Sequence, residues 1–86
     1  MESDIPFIAN RLLERIQTDL LEPEAELNPN SDLFVAGLDS MAIMQLTLIV
    51  EEEFSVRLPE SLISRDTFTT AQKLAGVVAD LKRSKT

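Results

Sequence analysis

Ser40 is the side chain in this 86-residue sequence whose setting best suits chemistry. Gly37 and Asp39 precede it, and an apolar stretch follows, so a flexible turn delivers one serine to the start of a helix. A hydroxyl in that position can act as a nucleophile, or it can accept a covalent group. The two roles need different partner residues, and the rest of the sequence distinguishes them.

The sequence lacks the residues that would make Ser40 a catalytic nucleophile. The nucleophile elbow of hydrolases has a glycine two residues after the serine and uses a histidine base, whereas Ala42 stands there and the chain has no histidine or cysteine. The consecutive acids Glu51, Glu52 and Glu53 fan out by about 100° each on a helix, so we expect them to face solvent or a partner. We therefore predict a protein that is not an enzyme, with no catalytic residue and no metal site.

As an acceptor, Ser40 needs no catalytic partner of its own. Free backbone N–H groups and the positive dipole end at a helix N-terminus favour an anion by about 0.3–1 kcal/mol, which suits a phosphoester. Gly37 supplies the freedom of the turn, and Asp39 is placed to cap the helix. We therefore predict a covalently attached group at Ser40. The plainer interpretation makes Ser40 an N-cap serine and nothing more.

Hydrophobic periodicity predicts an all-α fold, a small four-helix bundle with three main helices and a short third one. Thr69 and Gln72 match a capping box for the last helix, and residues 82–86 are expected to fray. The expected helices run from Asp4 to about Leu20, from about Ser40 to Phe54, from Glu60 to about Arg65, and from Thr70 to about Lys82. The stripes expected to face the core are Ile5, Ile8, Leu12, Ile16 and Leu20 in the first helix, and Ala71, Leu74, Val78 and Leu81 in the last.

A long loop, residues 22–38, joins the first and second helices. Loops of this length are uncommon in so small a domain, so this one must be fixed to the core. Ser31 and Asp32 could cap a single helical turn within it. The expected apolar anchors are Leu27, Leu33, Phe34 and Leu38.

The second helix carries two apolar stripes on nearly opposite sides. The stripe predicted to face the core is Ile43, Leu46, Val50 and Phe54. The other stripe, which we call the docking strip, is Met41, Met44 and Leu48, and the residues beside it are Gln45, Glu51 and Glu52. This strip is either buried under the long loop or exposed to bind partner proteins. We favour exposure, because so small a domain has too little protein to cover both sides and methionine suits a surface that meets several partners.

The length predicts one domain, residues 1–86, which buries roughly 60–65% of its unfolded surface. A net charge of −7 argues against nucleic acid and favours partners with basic patches, and no basic residue lies between Arg15 and Arg57. No signal peptide is visible, and no apolar segment is long enough to span a bilayer. We therefore expect a monomeric cytoplasmic protein with no membrane contact.

An eight-residue segment around Ser40 resembles the phosphopantetheine attachment motif of acyl carrier and peptidyl carrier proteins. The segment is Phe34-Val35-Ala36-Gly37-Leu38-Asp39-Ser40-Met41, and the order of helices along the whole chain is similar to that family as well. The resemblance implies that a phosphopantetheinyl transferase moves 4′-phosphopantetheine from coenzyme A onto Ser40, with Asp39 and Gly37 in the attachment site. The thiol of that arm would then hold an acyl or aminoacyl chain as a thioester.

The resemblance also implies that the second helix is the recognition helix for partner enzymes. The residues expected to bind acyl-loading and acyl-transfer enzymes, whose basic patches would meet the acids, are Met41, Met44, Leu48, Glu51 and Glu52. Members that serve fatty acid synthesis commonly have acids where Ala42 and Gln45 stand here, which favours a specialised carrier that serves a dedicated pathway. We expect its cargo to be an acyl intermediate of fatty acid, polyketide or another specialised biosynthesis. The alternative is an aminoacyl or peptidyl carrier, because Asp-Ser-Met is also similar to D-alanyl carriers. An unmodified helical interaction module is the third alternative.

Overall fold

The computed structural model describes residues 5–19 and 27–84, and these form three α-helices and one short 3-10 turn, with no strand. The helices are α1, Ile5–Asp19; α2, Ser40–Phe54; and α3, Ala71–Ser84, with the 3-10 turn at Glu60–Leu62. The predicted all-α fold is therefore confirmed. The expected first-helix ends at Asp4 and Leu20 lie outside the described residues, and α3 extends two residues beyond its expected end at Lys82.

The short third helix is a single 3-10 turn that does not reach Arg65. Ile63 leaves the helical conformation, with φ of −86° and ψ of 81°, while its N–H still donates to the Glu60 carbonyl. Beyond it the Ser64 hydroxyl accepts a hydrogen bond from the Thr67 N–H, and this starts a separate turn. Local side-chain bonds of this kind compete with helix extension, which accounts for the early end.

The core lies between α1 and α3, which share the most extensive helix contact, and α2 packs against both over a shorter stretch. The stripes predicted for the first and last helices are buried, apart from half-buried Ile5 and Leu81 and from Leu20, which is not described. Phe68, just before α3, is the largest side chain that is fully buried.

In α2, the apolar residues that are buried in the core are Ala42, Leu46 and Val50. Ile43 and Phe54, which were predicted to share the core face, are half-buried at its edges. Thr47 is also buried, and its hydroxyl donates to the Ile43 carbonyl at 2.9 Å. A buried hydroxyl with a backbone acceptor avoids most of the cost of removing it from water.

The long loop is fixed to the beginning of α3 by backbone hydrogen bonds. The Leu33 N–H donates to the Thr69 carbonyl at 2.8 Å, and the Gln72 N–H donates to the Pro29 carbonyl at 2.9 Å. All four predicted anchors pack on the core: Leu33 and Leu38 are buried, and Leu27 and Phe34 are half-buried. Residues 27–38 of the loop are therefore an integral part of the fold, and residues 22–26 lie outside the described residues.

The N-cap of α3 is Thr70, so the predicted capping box of Thr69 and Gln72 is wrong. The Thr70 hydroxyl accepts from the Lys73 N–H at 3.0 Å, as an N-cap side chain does. Thr69 instead donates its hydroxyl to the Arg65 carbonyl at 2.8 Å. With two consecutive threonines, the loop decides which one caps, because the Pro29 carbonyl already takes the Gln72 N–H.

Glu53 joins α2 to α1, so the expectation that it would face solvent or a partner is wrong. One carboxylate oxygen accepts from Arg15 Nη1 at 2.9 Å, the other accepts from Arg11, and the side chain is only 19% exposed. The hydrogen bond from Arg11 lowers the pKa of Glu53, and the Arg15 guanidinium acts in the same direction. We call these three side chains the α1–α2 ion cluster.

The lowered pKa of Glu53 makes this ion cluster a pH-dependent source of stability. A group whose folded pKa lies below its ordinary value of 4.5 stabilises the fold above that value and loses the contribution as pH falls through the folded pKa. We expect Glu53→Gln to lower the free energy of unfolding at neutral pH. We also expect the difference from wild type to shrink at acidic pH, where Glu53 itself becomes protonated.

Urea unfolding followed by circular dichroism, repeated from neutral to acidic pH, measures the difference in the free energy of unfolding between Glu53→Gln and wild type. Glu52→Gln is the matched control, because Glu52 is the exposed neighbour of Glu53 and should leave stability unchanged at every pH. A Glu53→Gln effect of the same size at acidic and neutral pH would show that the charge of Glu53 is not the stabilising feature.

Candidate attachment site

The turn that leads to Ser40 spans residues 33–37, and we call it the attachment turn. Asp32 begins it, because its Oδ1 accepts from the Phe34 N–H at 2.9 Å and the Val35 N–H at 3.1 Å, which confirms the predicted capped turn. The turn closes where the Gly37 N–H donates to the Phe34 carbonyl at 3.2 Å and the Leu38 N–H donates to the Leu33 carbonyl at 2.9 Å. Gly37 has φ of 122°, a conformation that side-chain-bearing residues rarely adopt, so glycine is required there.

Asp39 is the N-cap of α2, as predicted. Its backbone is extended, with φ of −123° and ψ of −177°, and its Oδ1 accepts from the Ala42 N–H at 2.9 Å. Its carbonyl accepts the first intrahelical bond from the Ile43 N–H, also at 2.9 Å. The interpretation of Ser40 as the N-cap serine is therefore wrong. Ser40 is the first residue inside the helix, one position beyond the cap.

Ser40 combines an exposed side chain with the positive end of α2. A helix leaves its first N–H groups without intrahelical acceptors, and here the Asp39 carboxylate occupies only the one on Ala42. Gly37 is also exposed and has no side chain that could block access to the Ser40 hydroxyl. An accessible hydroxyl at the positive end of a helix fits a covalently bound phosphodiester, which introduces negative charge at that point.

The docking strip on α2 is exposed to solvent, so the interpretation that buries it under the long loop is wrong. Met41 is 72% exposed, Met44 69% and Leu48 65%. Val35 in the attachment turn is 85% exposed, although the sequence pattern did not single it out. The exposure of Val35 could have been predicted from the sequence, because Leu33, Phe34 and Val35 share one helical turn and cannot all face the core. Apolar side chains thus precede and follow Ser40 along the chain.

The two acids predicted to bind partners have different settings. Glu51 is half-buried, and its Oε2 accepts from the Leu58 N–H at 3.0 Å, which holds the segment after α2 against that helix. Glu52 is exposed. Glu51 therefore has a structural contact that the sequence did not predict, and Glu52 is the more accessible of the two carboxylates.

Two other features, a metal site and a membrane-spanning helix, are absent from the described part of the chain. Residues 5–19 and 27–84 contain no group of three or more histidine, cysteine or acidic side chains that could hold a metal ion. None of the described helices is both long and apolar enough to cross a membrane.

Comparison with known proteins identifies the family of the chain. The family model described as "Phosphopantetheine attachment site" matches residues 10–78. A D-alanyl carrier protein of Streptococcus sanguinis is 33% identical over 78 residues, which cover 90% of this chain and 98% of that protein. An aminoacyl carrier protein of Agrobacterium fabrum is 34% identical over 56 residues, 65% of this chain and 68% of that protein. A D-alanyl carrier protein of Streptococcus gordonii is 39% identical over 56 residues, 64% of this chain and 71% of that protein.

The family match runs from within α1 into α3 and includes the attachment turn, Ser40 and all of α2. The same residues carry the motif resemblance, the all-helical fold and the exposed serine at a helix start. The chain therefore belongs to the phosphopantetheine attachment site family, carrier proteins that bear a covalently attached 4′-phosphopantetheine arm.

Proposed function

We propose that Ser40 is the attachment point of the 4′-phosphopantetheine arm and that the chain carries an aminoacyl group on it. The observation that carries the proposal is the position of Ser40. Its exposed side chain stands on the first residue of α2, directly after the Asp39 cap and three residues after Gly37, whose φ is positive. This placement leaves the hydroxyl accessible while the backbone on both sides is fixed.

Attachment makes one bond and breaks one bond. The Ser40 hydroxyl oxygen bonds to the phosphorus of coenzyme A that bears the pantetheine, and that phosphorus loses its bond to the bridging oxygen of the pyrophosphate. 3′,5′-ADP leaves with the electron pair, and the serine proton passes to a base on the transferase. The chain itself positions the Ser40 hydroxyl for this transfer. Asp39 fixes the start of α2, and Gly37 allows the turn before it to close. Once attached, the arm supplies the thiol that a chain without cysteine lacks.

Two observations favour an aminoacyl cargo over a fatty acyl cargo. The relatives described above are named D-alanyl or aminoacyl carrier proteins. Ala42 and Gln45 are neutral where the members of the family that serve fatty acid synthesis commonly have acids. An acyl intermediate of fatty acid, polyketide or another specialised biosynthesis is the second candidate, because the segment around Ser40 resembles the motif of acyl carriers equally.

The docking strip is the surface that we propose for the partner enzymes. These are the phosphopantetheinyl transferase and the enzymes that load and unload the arm. Glu52 lies beside the strip and is exposed to any basic group on a partner. We further propose that residues 1–86 act as one monomeric carrier domain in the cytoplasm, where coenzyme A is available.

Cargo release identifies the cargo and tests the carrier function together. The protein is purified from its native host and treated with hydroxylamine, which cleaves a thioester and leaves the cargo as a hydroxamate. We expect mass spectrometry to identify an amino acid hydroxamate, with none released in a hydroxylamine-free control. A fatty or polyketide hydroxamate would replace the aminoacyl proposal with the acyl one. A chain with no arm on Ser40 would overturn the carrier proposal itself.

A further inference from the structure

Arg65 packs on an aromatic ring of the attachment turn. Its guanidinium carbon lies 4.2 Å from the centroid of the Phe34 ring, within the range of a cation–π contact. Arg65 is exposed and forms no ion pair with any described residue, and the neighbouring Asp66 carboxylate pairs with Lys73 Nζ at 3.2 Å. The Phe34 ring is thus the main contact that orients this guanidinium.

The backbone beneath this contact joins the same two segments. The Leu33 N–H, next to Phe34, donates to the Thr69 carbonyl at 2.8 Å, and the Thr69 hydroxyl donates to the Arg65 carbonyl at 2.8 Å. Arg65 is therefore held at a fixed place above Phe34. The Leu33–Thr69 backbone bond and the side-chain contact fasten the segment before α3 to the attachment turn, and the Thr69 hydroxyl fixes Arg65 within that segment.

Phe34 in turn takes part in the hydrogen bonding that closes the attachment turn. Its carbonyl accepts from the Gly37 N–H at 3.2 Å, and the carbonyl of the residue before it accepts from the Leu38 N–H at 2.9 Å. Only Asp39 separates Leu38 from Ser40. A Phe34 side chain that lost its cover would therefore loosen the two bonds immediately before the modified serine.

We propose that Arg65 is a positioning residue for the modification of Ser40, which it promotes by covering the Phe34 ring and keeping the attachment turn closed. The inference rests on the proposed attachment at Ser40. It assigns no contact between Arg65 and coenzyme A. An exposed cation–π contact of about 0.5–1 kcal/mol corresponds to a change of about two- to fivefold in the closed-to-open ratio of the turn. Because a planar guanidinium stacks on a ring and an ammonium does so less well, lysine is a poor substitute.

The first test measures the rate of modification. Unmodified wild type, Arg65→Ala and Arg65→Lys are incubated with coenzyme A and a promiscuous phosphopantetheinyl transferase, and intact mass follows the product. We expect kcat/KM to fall in both variants by at most the roughly two- to fivefold change in the closed-to-open ratio, because only the closed fraction of the chain is modified. Arg57→Ala is the matched control, because Arg57 is also an exposed arginine between α2 and α3 and contacts no ring among the described residues, and we expect it to behave as wild type.

The second test observes the turn directly and does not depend on modification. Amide hydrogen exchange of unmodified protein by NMR reports the Leu38 N–H bond to the Leu33 carbonyl. We expect this amide to exchange about two- to fivefold faster in Arg65→Ala and Arg65→Lys, while buried amides of α1 exchange as in wild type.

Unchanged Leu38 exchange in Arg65→Ala would overturn the inference. Full recovery of the modification rate by Arg65→Lys would also overturn it, because charge without stacking would then suffice. If wild type itself were not modified, the attachment proposal would fail, and the exchange experiment would still report whether Arg65 holds the turn.

Discussion

Ser40→Ala will remain at the mass of the unmodified chain under conditions in which the wild-type protein gains one 4′-phosphopantetheine. The test is coexpression with a promiscuous phosphopantetheinyl transferase, followed by intact-mass measurement. The loss should be complete, because the hydroxyl oxygen of Ser40 is the atom that forms the new bond and alanine offers none. The fold should survive, since Ser40 is exposed and the cap of α2 is Asp39.

Ser61→Ala is the matched control for this experiment. Ser61 is also exposed and lies in the 3-10 turn, but no capped turn with a glycine at positive φ precedes it. The control should be modified as fully as wild type, and both variants should show wild-type circular dichroism. A Ser40→Ala protein that still gained the arm would place the attachment on another residue.

The parts of the fold that could be predicted from the sequence are those with a local cause. The buried stripes of α1 and α3, such as Ile8, Leu12 and Ile16, follow from apolar spacing along a single helix. Gly37 and Asp39 were also predictable, because a positive φ and an N-cap are requirements of the backbone at one or two positions. The exposure of Ser40 then follows from its place just beyond the cap.

The features that could not be predicted depend on residues distant in the chain. Glu53 meets Arg11 and Arg15, which lie about 40 residues earlier, so its role depends on how α1 and α2 pack. Phe68 is fully buried although it precedes α3 and belongs to no periodic stripe. The choice of Thr70 over Thr69 as the cap depends on a carbonyl in the long loop. In each case tertiary contacts select among alternatives that the local sequence leaves equal.

The internal contacts of the acids alter the expected chemistry of partner binding. Of the three consecutive glutamates, Glu53 pairs with α1 and Glu51 accepts from the Leu58 N–H, which leaves Glu52 as the exposed one. No charged residue lies on α2 from Ser40 to Val50. The sequence predicted an apolar docking strip with Glu51 and Glu52 beside it to meet basic patches. In the structure the strip is exposed, but of these two acids only Glu52 is, so most of the binding energy should come from burial of the docking strip.

Leu48→Glu should therefore lower kcat/KM for modification by the transferase by about 10- to 150-fold. Burying a leucine side chain contributes about 1.5–3 kcal/mol, and a charged residue at the same place must instead be desolvated in the complex. Stability should hardly change, because Leu48 is 65% exposed in the free protein and surface substitutions usually alter stability by less than about 0.5 kcal/mol. Intact-mass kinetics and urea unfolding measure the two quantities on the same samples.

Leu46→Ala is the complementary control, two residues away and fully buried. It should cost about 2–5 kcal/mol of stability through the cavity that it leaves in the core. Wherever it remains folded, it should be modified at close to the wild-type rate, because Leu46 does not reach the surface. The two leucines would thus separate folding from recognition on one helix. An unfolded Leu48→Glu would assign the strip to the core, and a folded one modified at the wild-type rate would remove Leu48 from the surface that the transferase binds.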